Sequence, residues 1–243
     1  MKKVLALLLL IPSLAMAAGM KTPLDRAPIN PQDKVSLQRG AQIFVNHCLN
    51  CHGASAMRYG RLSDLGLTEQ QIRDNLLFTA EKVGDTMGTA LDPQVAKAAF
   101  GIVPPDLSLA ARSRSADWLY TYLRGFYRDP AAKSGWNNTV FPNVAMPHAL
   151  WEYQGIQALQ VTERMDPNTG DTRRTQKLVI EQPGTLAPIE YDQYVADLVN
   201  YLVYMAEPSQ TQRKQWGVLV LFFLTGFVVL ALLLKNEYWK DVR

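Results

Sequence analysis

The chain has 243 residues, 48% hydrophobic and 19% charged, with a formal net charge of +3 and two cysteines. That apolar content excludes a disordered chain, and so few cysteines exclude a scaffold built on disulfides. The basic balance weakens once it is divided: Lys2 and Lys3 sit at the extreme N-terminus, and residues 213–243 hold five Lys/Arg against Glu237 and Asp241. Residues 18–212 are left at −2, so the pI of 8.8 is no argument for a nucleic-acid partner.

Met1-Lys2-Lys3, an apolar run from Val4 to Ile11 and Ala15-Met16-Ala17 have the layout of a secretory signal peptide over residues 1–17. The run is too short to span a bilayer, which speaks against an uncleaved anchor. Residues 18–32, with Pro23, Pro28 and Pro31, read as an extended leader. Asp33 opens a helix whose apolar residues Leu37, Ala41 and Phe44 run on to Cys48. Thr68 with Gln71 forms a capping-box pattern before Ile72. Asp92-Pro93 supplies an N-cap and first-turn proline for a short helix to about Phe100. Ser115 caps the apolar face Trp118, Leu119, Tyr122, Leu123 and Phe126. Alternation at Leu159 and Val161, and again at Leu178 and Ile180, predicts a long β-hairpin over 156–181, turning at Asp166-Pro167-Asn168-Thr169-Gly170. Tyr194, Leu198, Tyr201 and Met205 mark a helix ending near Glu207-Pro208.

From Trp216 to Leu234 no residue is charged. As a helix these residues would run roughly 28 Å, close to the ~30 Å of a bilayer's hydrocarbon. Basic residues flank the segment, with Trp216, Tyr238 and Trp239 placed as interfacial anchors. The expected division is a signal peptide (1–17), an exported domain (18–212), a transmembrane anchor (213–235) and a cytoplasmic tail (236–243). The anchor is expected to be single-pass in a bacterial inner (cytoplasmic) membrane, with the exported domain in the periplasm.

Both cysteines fall in Cys48-Leu49-Asn50-Cys51-His52. A thioredoxin-like redox pair would need a βαβ setting, whereas this segment ends an amphipathic helix. A zinc site would need four N/S ligands, and beyond His52 the chain offers only His47 and His148. Covalent haem attachment fits the spacing: two thioethers on one porphyrin edge, with the adjacent imidazole delivered to the iron. His52 is then the proximal ligand, and His47 is expected at the surface. For the opposite face, Met20, Met87, Met146 and Met165 remain after the others are set aside. Met146 lies in the proline-flanked loop Phe141-Pro142-Asn143-Val144-Ala145-Met146-Pro147, with His148 as its nearest competitor.

These residues resemble the cytochrome c1 family. The resemblance rests on the haem pentapeptide, Pro104-Pro105-Asp106-Leu107-Ser108 with Arg112-Ser113-Arg114, Met146 before Pro147, and Ala206-Glu207-Pro208 with Arg213-Lys214 leading into a single anchor. It covers roughly residues 33–240. The pentapeptide is common to all c-type cytochromes; the proline block together with the anchor is more specific.

The resemblance implies a mainly α fold, a cytochrome c-type haem domain with insertions and one β-hairpin, plus a single C-terminal transmembrane helix. It implies one haem c bound through Cys48 and Cys51, ligated by His52 and Met146. Arg114 would meet a propionate, Pro104 and Pro105 would wall the ring, and Asp106 would cap a turn. The implied function is one-electron transfer from a Rieske iron–sulfur protein to a mobile cytochrome c or equivalent acceptor. It would operate beside a cytochrome b subunit in a dimeric quinol–cytochrome c reductase, with no acid–base or nucleophilic group of its own. The alternatives are a stand-alone anchored cytochrome feeding a terminal oxidase or reductase, a haem gas sensor, or a thiol–disulfide enzyme. Two features stand apart: the hairpin is long for compact members of the family, and no further cysteine braces the domain.

Overall fold

A computed structural model describes residues 23–165 and 172–241. The expected signal peptide, the start of the leader and the hairpin turn lie outside the described residues. Helix α1 (Lys34–His47) begins where Asp33 accepts hydrogen bonds from the amides of Val35 and Ser36, satisfying two of the first-turn donors. Its face of Leu37, Gly40, Ala41 and Phe44 is buried. Strand β1 (Ala54–Arg58) leads into a 3-10 turn (Tyr59–Leu65), and α2 (Glu69–Asn75) carries the Thr68/Gln71 capping box. After β2 (Thr86–Met87), helix α3 (Pro93–Phe100) starts at Asp92 with proline in its first turn. A short α4 (Ala110–Arg114) abuts α5 (Ala116–Arg124), capped by Ser115. Then come β3 (Phe126–Arg128), β4 (Trp136–Asn138) and the single turn α6 (Trp151–Gln154). The hairpin of β5 (Gly155–Met165) and β6 (Thr172–Pro183) follows, and α7 (Pro188–Ala206) and α8 (Gln210–Trp239) close the chain.

The core forms where α1 crosses α7. Phe44 meets Tyr201 with ring centroids 5.6 Å apart, and Val195, Leu198 and Val199 are buried beside them. Charge fastens the same crossing: Arg39 holds the buried Asp197 through Nε at 2.5 Å and Nη2 at 3.0 Å, and Ser36 donates to it at 2.6 Å. Arg124 grips Asp192 of α7 in the same two-pronged way and also pairs with Asp25 at 2.7 Å, which pins the leader to the domain. A planar guanidinium suits this bidentate geometry.

Among the described residues, three antiparallel two-stranded sheets accompany the helices. The long one is the expected hairpin, with Leu159 opposite Leu178 and Val161 opposite Gln176. The two short ladders, β1–β2 and β3–β4, add to the single β excursion foreseen from the sequence. The apolar face expected to run helically to Phe126 is cut at Arg124, and Phe126 begins β3 opposite Asn138.

Helix α8 is 30 residues long, and none of its residues is buried within the domain. At ~1.5 Å per residue it spans about 45 Å, enough for a bilayer with a turn or more to spare. Glu207, between α7 and α8, pairs with Arg213 on the first turns of α8 and with Arg112 on α4 at 3.0 Å. One carboxylate therefore ties the root of the membrane helix to the domain.

Candidate functional site

The last turn of α1 delivers the pentapeptide. The amide of Cys48 closes on the Phe44 carbonyl, and its own carbonyl accepts from the amides of Cys51 at 3.0 Å and His52 at 2.8 Å. This turn draws both cysteines and His52 around one carbonyl. Both cysteines are free, not joined as a disulfide. Burial, with Cys51 nearby, pushes the Cys48 thiol up to about 12. Thiol–disulfide exchange runs through the thiolate, the form this burial disfavours at Cys48.

His52 places Nδ1 2.7 Å from the carbonyl oxygen of Pro105. A carbonyl only accepts, so Nδ1 carries the proton and Nε2 keeps its lone pair for a metal. This is the usual way a protein sets a ligating histidine's tautomer. Burial lowers the imidazole's pKa, opposed by the Pro105 carbonyl and Asp106, so the ring favours its neutral, ligating form. Pro105 is exposed and bears on the site through its carbonyl.

The segment that presents this carbonyl is laced to the residues following His52. Leu107 donates its amide to Gly53, and Asp106 accepts from the amides of Ser55 at 2.7 Å and Ser108 at 2.8 Å. Ser108 in turn accepts from the amide of Ala56. Burial would raise the Asp106 pKa, but the hydrogen bonds from Ser108 and Ser55 outweigh it and hold the carboxyl below its ordinary value.

Met146 is half-buried against the same core that Cys48 packs on, and its Sδ accepts from the Tyr122 hydroxyl at 3.3 Å. The competing sulfurs stand elsewhere: Met87 is fully buried under the Tyr201 hydroxyl, and Met165 is exposed on the hairpin. Met20 lies outside the described residues. His148 is buried with its ring parallel to Phe126 at 4.8 Å and edge-on to Trp136 at 5.2 Å. His47, expected at the surface, is half-buried between Tyr153 and Tyr194 because α6 and α7 close over the end of α1.

Arg114 ends α4 with its guanidinium 5.2 Å from the Trp118 ring centroid. Among the described residues it forms no ion pair with a carboxylate, so its charge is available to an anionic group. From there an aromatic column runs along α5 and beyond. Trp118 stacks on Tyr122 at 4.7 Å, Tyr122 meets Phe126 at 5.1 Å, and Phe126 stacks on His148. A spacing of four residues puts the first members on one helix face. The sequence showed that spacing as an apolar face; it did not show that Tyr122 ends on the Met146 sulfur.

The donor set fits a haem: two free cysteines at the vinyl spacing, an imidazole whose Nδ1 donates to Pro105, a thioether, and an arginine without an ion pair among the described residues. Among the described residues no cluster of three or more His, Cys, Asp or Glu gathers that would suit a zinc ion instead. A cleft of about 890 Å3 lies under the hairpin, lined by Arg124, Gln157, Leu178 and Tyr191 among others. None of the pentapeptide lines it, so it is separate from this chemistry.

A mainly helical domain that presents a Cys-x-x-Cys-His turn beside its core and continues into one long apolar helix defines a membrane-anchored haem c protein. The Cytochrome C1 family model matches residues 25–87 and 176–242. A protein of Nitrosomonas europaea named ammonia monooxygenase gamma subunit is 50% identical over 242 residues, covering all of this chain and 98% of its own. Cytochrome c1 of Allochromatium vinosum is 46% identical, covering 97% of this chain and 96% of its own, and that of Rhodospirillum rubrum 32%, covering 87% and 83%. The chain belongs to the cytochrome c1 family. Its function is electron transfer by the haem c subunit of a bc1 complex, and among the described residues one helix, the C-terminal α8, is long and apolar enough to anchor it in a membrane.

Proposed function

We propose that Cys48 and Cys51 bind haem c as thioethers, that His52 and Met146 are its axial ligands, and that Arg114 meets a propionate. When bound, the haem supplies a one-electron couple. The chain's residues do the rest: His52 is held in the ligating tautomer by Pro105, Met146 is held by Tyr122, and Arg114 offers a charge that a carboxylate needs when taken out of water. The observation that carries this reading is the 2.7 Å bond from His52 Nδ1 to Pro105, which leaves Nε2 available beside two unpaired cysteines. The Pro104-Pro105 pair would wall the ring.

The donor on this reading is a Rieske iron–sulfur protein and the acceptor a mobile cytochrome c or equivalent. Cytochrome b is the membrane partner, in a dimeric complex that oxidises quinol. No residue of this chain acts as an acid, base or nucleophile in that reaction; its contribution to the enzyme is potential and docking geometry. The charged start and apolar run of residues 1–17 support export, which would place the haem domain in the periplasm and the C-terminus in the cytoplasm.

The test is a reduced-minus-oxidised spectrum of the complex purified in mild detergent by a tag on this chain, with quinol as reductant. Quinol-reducible haem c with haem b alongside is the expected result, and the haem c should stay with the chain after denaturation. Haem c reducible by dithionite but untouched by quinol would overturn the proposed donor and favour a stand-alone anchored cytochrome.

A further inference from the structure

Tyr122 has little freedom. It is 9% exposed, its ring is stacked on Trp118 at 12° between planes, and Phe126 abuts it edge-on. Its hydroxyl reaches Met146 Sδ at 3.3 Å. The two segments that carry these atoms are joined by Asn138, which bonds to the Tyr122 carbonyl and to the amides of Val140 and Phe141. The phenol and the sulfur are therefore held toward each other from both sides. A buried phenol needs a partner, and the sulfur is its partner here.

A thioether has two lone pairs. One can be given to a metal while the other accepts a hydrogen bond, and that bond draws electron density from the sulfur. A less electron-rich sulfur stabilises an oxidised metal less than a reduced one. We infer that Tyr122 is a positioning residue for the Met146 sulfur, fixing Sδ through its hydroxyl and biasing a bound haem toward its reduced form. This rests on ligation by Met146, as proposed above.

The experiment uses the whole complex in detergent, carrying Tyr122→Phe, with Tyr120→Phe as a control that removes a phenol from the same helix. Two quantities are read: the weak red absorption band of thioether-ligated ferric haem, and the ratio of reduced to oxidised haem at a fixed ambient potential. Loss of that bond should shift the band and lower the ratio, by at most the roughly tenfold that the whole bond is worth. Tyr120→Phe should change neither. An unchanged band and ratio in Tyr122→Phe would overturn the inference while leaving Met146 in place. A wild-type spectrum without that band, unaltered by Met146→Ala, would overturn the ligation itself. Should Tyr122→Phe fail to assemble, fluorotyrosine placed at position 122 keeps the ring and makes the phenol a stronger donor. The ratio should then rise, and no change would equally overturn the inference.

Discussion

Asn138 donates from Nδ2 to the carbonyl oxygen of Tyr122 at 2.7 Å while its Oδ1 accepts from the amides of Val140 and Phe141 at 2.8 and 3.2 Å. At 1% exposure it has no water to replace these partners. One side chain thus links the end of α5 to the loop that carries Met146. Asn138→Leu would strand the amides of Val140 and Phe141, each costing about 1–3 kcal/mol when left unsatisfied, while the Tyr122 carbonyl would keep the Gly125 amide as its partner. We expect a melting temperature lower by several degrees and a weakened thioether band, read by circular dichroism and absorption of the purified full chain. A variant with both readings intact would show that the loop holds its place without Asn138.

Gly40 and Asp197 set how closely α1 and α7 approach. A β-carbon on Gly40 would lie 2.1 Å from the Asp197 carbonyl oxygen and 2.7 Å from Tyr201 Cβ. The first obstacle is backbone and cannot rotate away. Gly40→Ala must therefore spread the helices, disturbing the Arg39–Asp197 pair and the Phe44–Tyr201 contact, at a cost of about 3 kcal/mol or more. Gly88→Ala, with nothing within 4 Å of the added carbon, is the control. Unfolding of both variants in urea should separate them; equal midpoints would mean that the crossing has slack.

Much of this was legible from the sequence because it is local. Asp33, Thr68 with Gln71, Asp92-Pro93 and Ser115 each announce a helix through the orphan amides they satisfy, and each does so in the structure. The hairpin showed because eleven paired positions give alternation time to appear. By contrast β2 has two residues and β3 and β4 three each, too few for a period to register. The site divides in the same way. Cys48, Cys51 and His52 are one short motif. Tyr122 and Asn138 gain their roles from segments that meet only on folding, and Tyr122 reads along the chain as one more apolar-face residue. His47 deceived for the same reason, since the tyrosines that cover it come from α6 and α7.

Arg114 joins two interactions that a pair of substitutions would separate. Its guanidinium sits over Trp118 at 5.2 Å, a contact worth roughly 0.5–1 kcal/mol at an exposed site. Its positive charge near the haem would favour the electron-rich, reduced state. Arg114→Gln should lose both: a small drop in stability, and a lower reduction potential corresponding to the order of 1 kcal/mol. Arg114→Lys should keep most of the potential because it keeps the charge. Equilibrium redox titration in the complex distinguishes the terms, and a potential unmoved by Arg114→Gln would place the propionate elsewhere.

His148 makes the fold sensitive to acid. Its ring lies parallel to Phe126 with Trp136 on its edge, and its Nε2 is buried without a hydrogen-bond partner. Burial lowers its pKa to about 4, with Gln154 acting in the opposite sense. An unfolded chain would protonate this ring near pH 6.5. Between about pH 6.5 and 4 the unfolded state therefore binds more protons, so stability must fall as pH falls through that window and level off below it. The full effect is of the order of 3 kcal/mol. His47 is lowered as well and acts in the same direction, so the wild-type curve alone does not isolate one ring. The difference between wild type and His148→Phe does, because phenylalanine keeps the stack on Phe126 and removes the proton site. Melting temperatures of the two should converge as pH rises above 7 and separate toward pH 4, with the variant the more resistant. Parallel curves would show that the ring stays out of the acid transition.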